Sequence, residues 1–66
     1  MNEERMLKWF AFDHLPEPLN EVSFHFSELA RTICSLTEPG PERTVALRKL
    51  LEAEDAAVRA KLHPGG

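Results

Sequence analysis

The chain has 66 residues, a net charge of −3 and 42% hydrophobic residues, which is material for one small domain, residues 1–66. A core of this size rarely supplies more than about 3–5 kcal/mol, so such domains usually add disulfides, a metal or self-association. The single cysteine, Cys34, excludes an internal disulfide, and three scattered histidines lack the spacing of a zinc site. We therefore expect no metal, and self-association is the remaining route.

The charge and hydropathy of the chain exclude several classes of partner. The acidic balance argues against a protein that coats duplex nucleic acid, because such proteins are basic. The chain has no run of about 20 apolar residues, which is the length that a helix needs to cross a membrane. The first ten residues, MNEERMLKWF, lack the apolar core of a secretion signal. We expect a cytoplasmic protein that contacts neither a membrane nor duplex nucleic acid.

The N-terminal part of the chain combines a short helix with a crossing segment. Asn2 to Phe10 has apolar residues at helical spacing, and Asn2 is a candidate N-cap. Pro16 and Pro18 follow, and each proline pushes the residue before it into extended geometry. We therefore predict a helix over residues 2–10 and an extended crossing over residues 12–17.

The second segment, Pro18 to Leu36, has the clearest helical pattern. Pro18 is tolerated in the first turn, where its missing N–H would be unpaired in any case. Pro39-Gly40-Pro41 ends the helix. Six large apolar residues recur at intervals of 3, 4, 3, 4 and 3 and predict one buried stripe: Leu19, Val22, Phe26, Leu29, Ile33 and Leu36.

The third segment, Pro41 to Leu62, predicts a helix with a seam of small side chains. Because the turn before it is short, the two long helices must form an antiparallel hairpin. We expect the small seam to pack against the large apolar stripe of the preceding helix, and the surplus aromatic surface to bury between copies of the chain. The seam residues are Ala46, Leu50, Ala53, Ala57 and Ala60.

No arrangement of residues indicates catalysis. The histidines lie on different segments without a nucleophile beside them, and there is no glycine-rich phosphate loop. One polar line is more informative: Ser23, Ser27 and Arg31 recur at i, i+4 and i+8. Two hydroxyls and a guanidinium in line suit a phosphate. The alternative interpretation is the solvated edge of an amphipathic helix.

The aromatic stretch KWFAFDH is a second candidate site. Phe12 followed by Asp13 places a ring beside a short acid, and this pair suits a nucleobase that stacks on the ring and hydrogen-bonds through its edge. Stacking of a base on an aromatic ring contributes about 1–3 kcal/mol. The alternative is that Trp9, Phe10 and Phe12 are core or interface anchors.

Three motifs together resemble one protein family. The aromatic entry FAFDH, the helical ELA at residues 28–30 and the stretch PERTVALRKLLEA at residues 41–53 are similar to the anti-CBASS sponges of phages. These small helical-hairpin proteins sequester cyclic oligonucleotide signals, and their hairpin domain recurs in anti-Thoeris sponges. The resemblance covers Phe10 to His63.

The resemblance implies a non-enzymatic function without a cofactor. Such sponges assemble into compact homo-oligomers, hexamers in this family, and bind cyclic dinucleotides in pockets between protomers. Separate pockets on the three-fold axes take cyclic trinucleotides. The ligand is withheld from a host effector in the cytoplasm of the bacterial host, so the phage evades immune defence.

The resemblance also implies site residues. The family's stacking tyrosine falls on Phe12 and its polar neighbour on Asp13. Its basic residues on the first long helix fall on residues 23–27, which contain no lysine here, and Arg31 one turn further along is the substitute. Its late arginine falls near the end of the last helix. The candidate ligand-binding residues are Phe12, Asp13, Ser23, Ser27, Arg31, Arg59 and His63.

A second function remains open at the level of sequence. The same hairpin and oligomer would serve a small helical module that binds a protein partner through Phe24, Trp9 and Val45. A ligand at about 100 times its dissociation constant stabilises a protein by about 2.7 kcal/mol. Thermal shifts with cyclic nucleotides therefore separate the two functions.

Overall fold

The computed structural model describes residues 5–12 and 15–65, which form three helices. A 3₁₀ helix, Arg5–Phe10, is followed by α1, Leu19–Leu36, and α2, Pro41–Leu62. The described residues contain no strand, so the predicted all-α hairpin with a short first helix is confirmed for them. None of these helices combines the length and the apolar character that crossing a bilayer requires.

The bounds of the long helices agree closely with the sequence pattern. α1 begins at Leu19, one residue later than predicted, because Pro18 is its N-cap residue. α2 begins at Pro41 as predicted, at a position where a missing N–H costs no hydrogen bond. It ends at Leu62, where the backbone N–H of His63 donates to the Arg59 carbonyl at 2.8 Å.

The first helix and the crossing differ from the prediction. The first helix is of the 3₁₀ type from Arg5 onwards, and the candidate N-cap Asn2 lies outside the described residues. The prediction of an extended crossing is wrong for the described part. The Leu15 N–H donates to the Phe12 carbonyl at 3.1 Å, and residues 17–18 form a turn. Prolines lack a donor, but the carbonyls around them still accept such bonds.

The core contains one side chain from each helix. Phe10 of the 3₁₀ helix, Ala30 of α1 and Leu47 of α2 are all at least 99% buried. The 3₁₀ helix therefore packs on both long helices and completes the core of the hairpin. Half-buried apolar side chains surround these three: Met6, Leu7, Phe26, Ile33, Cys34, Leu50 and Leu51.

α1 buries a different line of residues from the one that its apolar stripe predicts. Its buried side chains are Ser23, Ser27 and Ala30, which are small and spaced at 4 and 3. Leu29 and Leu36 of the predicted stripe are instead 47% and 77% exposed. The contact line has moved by one residue, which is a rotation of about 100° around the helix.

α2 shows the same displacement, so the predicted alanine seam is wrong. Its buried residues are Arg43, Leu47 and Glu54. Small side chains of α1 thus face larger side chains of α2, the reverse of the prediction, because small residues on one helix leave room for large residues on the other. Three alanines of the predicted seam are exposed: Ala46, Ala53 and Ala60.

Arg43 connects the start of α2 with the end of α1. Its Nη1 donates to the carbonyl of Thr37 at 3.0 Å and to that of Cys34 at 3.3 Å. The last carbonyls of a helix have no partner within the helix. The guanidinium, in a residue that is only 8% exposed, therefore satisfies the end of α1 and holds the hairpin turn in place.

We expect Arg43→Lys to lower the free energy of unfolding by about 1–3 kcal/mol, because the lysine side chain ends one atom short of the position of Nη1 and the two carbonyls lose their donor. Urea unfolding followed by circular dichroism measures the change. Arg48→Lys, at an exposed position one turn further along α2, is the matched control and should be neutral. Equal stability of both variants would show that Arg43 does not hold the turn.

The displaced contact lines predict opposite effects for one type of substitution. Ala30→Leu places three extra carbon atoms into the packed core and should cost about 1–3 kcal/mol. Ala53→Leu adds the same bulk on the exposed face of α2 and should change stability by less than about 0.5 kcal/mol. Urea unfolding of both variants tests this. A large loss of unfolding free energy in Ala53→Leu alone would show that the alanine seam is the contact after all.

Candidate functional site

An open cleft of about 330 Å³ lies where the N-terminal segments meet the C-terminal half of α2. We call it the Glu54 cleft. Its apolar lining consists of Trp9, Ala11, Leu15 and Val58. Its polar lining consists of Ser23, Glu54, Asp55 and Arg59.

A second open cleft of about 300 Å³ lies along the end of α2, and we call it the His63 cleft. Its lining residues are Ala56, Arg59, Ala60 and His63. Arg59 therefore borders both clefts. This position follows from helical spacing, because residues 55, 58 and 59 lie on one side of α2 and residues 56, 60 and 63 on the next.

Two pairs of predicted site residues come together in these clefts. Ser23 and Arg59 line the Glu54 cleft, and Arg59 and His63 line the His63 cleft. Arg59 is exposed, and within residues 5–12 and 15–65 its guanidinium has no hydrogen bond or ion pair. Its donors are therefore available to an anion.

The predicted line of Ser23, Ser27 and Arg31 is not a continuous exposed surface. Ser23 is fully buried and Ser27 is 5% exposed, because both belong to the contact between the long helices. Arg31 is exposed, but eight residues separate it from Ser23, which is about 12 Å along the axis of α1. Only Ser23 of the three lines a cleft described here.

Phe12 is half-buried against the aromatic side chains of α1. Its ring centroid lies 5.3 Å from that of Phe24, with the rings at 76° in an edge-to-face pair. Phe24 in turn meets the ring of His25 at 5.5 Å. Phe12 is therefore anchored while part of it stays accessible. Asp13 lies outside the described residues.

The neighbouring aromatic residues divide between core and surface. Phe10 is a core residue, as the anchor interpretation predicts. Trp9 is 59% exposed and lines the Glu54 cleft. On the other side it borders a basic cleft of about 380 Å³ with Arg5, where the Lys8 ammonium group lies 5.2 Å from its ring centroid. Two surfaces thus share this indole.

Glu54 is the site residue that the sequence does not reveal, since glutamate in an alternating charge pattern usually marks a solvated face. The residue is only 6% exposed, and neither Glu54 Oε1 nor Ser23 Oγ has a hydrogen-bond partner in the described part of the chain. An unsatisfied buried acceptor costs about 1–3 kcal/mol. Its burial could have been predicted from its position seven residues after Leu47, which is two helical turns along the same face of α2.

Burial governs the acidity of Glu54. Loss of solvation raises the pKa of its carboxyl, and the nearby Asp55 charge raises it further. The Ser23 hydroxyl acts in the opposite direction, although the two groups do not reach the geometry of an ordinary hydrogen bond. The side chain is thus a carboxyl whose charge is poorly compensated by the protein.

Among the residues that the structure describes, no three histidine, cysteine or acidic side chains are grouped to hold a metal ion.

The raised pKa of Glu54 gives a pH dependence of defined sign. The folded state holds the proton more tightly than the unfolded state, so this group's contribution to stability falls as the pH rises above its ordinary pKa of 4.5. Glu54→Gln should therefore be more stable than wild type at pH 7, by about 1 kcal/mol. The difference should shrink towards pH 4.

Urea unfolding of wild type and Glu54→Gln from pH 4 to pH 8 measures this difference. Glu52→Gln is the matched control, because Glu52 is on the same helix with a side chain that is 62% exposed. A difference between Glu54→Gln and wild type that stays constant over the whole range would contradict a raised pKa.

Comparisons with known proteins identify no relative of this chain: no family model, no curated protein and no solved structure matches it.

Proposed function

We propose that this chain is a non-catalytic, phage-type sponge that binds and sequesters cyclic oligonucleotide immune signals. Cyclic dinucleotides are its first candidate ligands and cyclic trinucleotides its second. Retention of the signal inside a bacterial cell would keep it from a host effector, with no bond made or broken. The motifs shared with the anti-CBASS sponges support this function, and one geometric observation carries it.

That observation is the position of Arg59 between two clefts. One cleft has the indole of Trp9 in its wall, and the other has the imidazole of His63. A cyclic dinucleotide alternates two bases with two phosphates, so it needs cations flanked by surfaces for bases. Arg59 suits this role because a guanidinium binds phosphate oxygens through two parallel hydrogen bonds.

Self-assembly is part of the proposal. The small core leaves large apolar side chains exposed on all three helices, and burial of such surface between copies is a common source of stability in small chains. Assembly would also bring Phe12, Asp13 and Arg31 of one copy to a pocket of another, as in the hexameric sponges. The exposed side chains are Trp9, Phe24, Leu29, Leu36, Val45 and Leu62.

We expect wild type to bind a cyclic dinucleotide in isothermal calorimetry and Arg59→Ala to weaken that binding at least about tenfold, since a hydrogen bond to a charged group contributes about 1.5–3 kcal/mol. Arg59→Lys should recover only part of the affinity. Arg48→Ala, an exposed arginine on the same helix, is the control. Light scattering on the same samples counts the copies in the assembly.

Each result of this experiment decides a separate part of the proposal. Absence of binding across cyclic dinucleotides and trinucleotides would contradict the sponge function. Binding that survives Arg59→Ala would place the phosphates elsewhere, and Arg31→Ala would then test the exposed arginine of α1. A folded monomer at micromolar concentration would contradict the assembly.

A protein-binding module is the second candidate function, and one observation favours it. Trp9, Phe24 and Val45, the three side chains predicted to bind a partner, are 59%, 40% and 38% exposed. Exposed aromatic residues are common centres of protein interfaces. If none of the cyclic nucleotides tested binds to the chain, this function is favoured over the first.

A further inference from the structure

The Glu54 cleft contains two polar groups that the fold leaves without partners. Ser23 is fully buried and Glu54 is 94% buried, and both side chains line the cleft. Ser23 Oγ and Glu54 Oε1 lack hydrogen-bond partners in the described residues, although buried polar groups in native proteins are almost always paired. A ligand that supplies donors at this point would resolve that deficit.

The carboxylate of Glu54 determines which ligand edge fits. An ionised carboxylate only accepts hydrogen bonds, at two oxygens side by side. Oε1 is covered, and rotation about the last torsion of a glutamate only exchanges its two oxygens, so one carboxylate oxygen at a time faces the cleft. The complementary edge therefore presents an N–H donor in the plane of the ring.

The remaining lining of the cleft suits a flat ring. The exposed indole of Trp9 offers a face for stacking, and Leu15 and Val58 complete an apolar wall. Arg59 at the boundary of the cleft provides a cation for a phosphate attached to the ring. Guanine meets all of these demands, since it is a planar base with a donor at N1. Adenine presents an acceptor at N1 instead, which an ionised carboxylate repels.

We propose that the Glu54 cleft is a guanine subsite, in which one oxygen of the Glu54 carboxylate accepts from N1–H while the base lies against Trp9. This assignment rests on the proposed sponge function and narrows its ligands to guanine-containing cyclic oligonucleotides.

The test compares cyclic di-GMP with cyclic di-AMP, and GMP with AMP, by calorimetry on the full chain. Wild type should bind the guanine ligand about tenfold or more tightly within each pair, because adenine places an acceptor where the carboxylate needs a donor. Glu54→Gln should lose this preference and gain affinity for adenine, because an amide offers one donor and one acceptor. Glu52→Gln, on the exposed face, should behave as wild type.

The outcomes separate this subsite from the sponge function. Equal binding of both cyclic dinucleotides, unchanged in Glu54→Gln, would overturn the guanine subsite and leave the sponge function intact. Binding of GMP, but of neither cyclic dinucleotide and no cyclic trinucleotide, would support the subsite and overturn the sponge function. Absence of binding by all four ligands overturns the guanine subsite, and the sponge function is overturned as well if cyclic trinucleotides also fail to bind. Far-UV circular dichroism establishes that Glu54→Gln is folded, and Trp9→Ala supplies an independent variant that should weaken guanine binding.

Discussion

The contact between the two long helices depends on a line of small side chains in α1. Ser23, Ser27 and Ala30 are buried at successive turns, so the opposing helix packs against a shallow surface. Leu47 of α2 occupies the centre of that contact, next to Phe10 of the first helix. Every other feature of the molecule, from the hairpin turn to the clefts, takes its position from this line.

The same contact places charge where a small protein can least accommodate it. At one end of α2 it buries Arg43, whose guanidinium finds the carbonyls at the end of α1. Towards the other end it buries Glu54, for which the described residues provide no equivalent donor. Arg43 thus has a structural account within the hairpin, whereas Glu54 does not. A residue that destabilises the fold and makes no compensating interaction within it is a candidate for a functional role.

The single chain also explains why the proposed ligand site needs more than one copy. Arg59 and His63 lie near the end of α2, and Arg31 lies about 12 Å along α1 from Ser23. These positions are too far apart for one hairpin to surround a ring with two bases and two phosphates. In the proposed assembly, a second copy would supply the missing side chains, and the apolar residues exposed on all three helices offer surface for such a contact.

The sequence by itself determined the two long helices of this protein. Prolines at 39 and 41 separate them, and apolar spacing predicted their bounds. Arg59 and His63 were predicted as site residues from the family resemblance. Only the tertiary structure decided which faces meet. Hydrophobicity marks a broad stripe on each helix, but the contact line within it depends on the fit between small and large side chains. The contact line on each helix therefore lies one residue from the predicted line, which leaves Ala53 exposed, buries Ser27 and places the Glu54 side chain at a cleft. The sequence pattern of one helix does not predict this line, because it depends on the volumes of the side chains on the other helix.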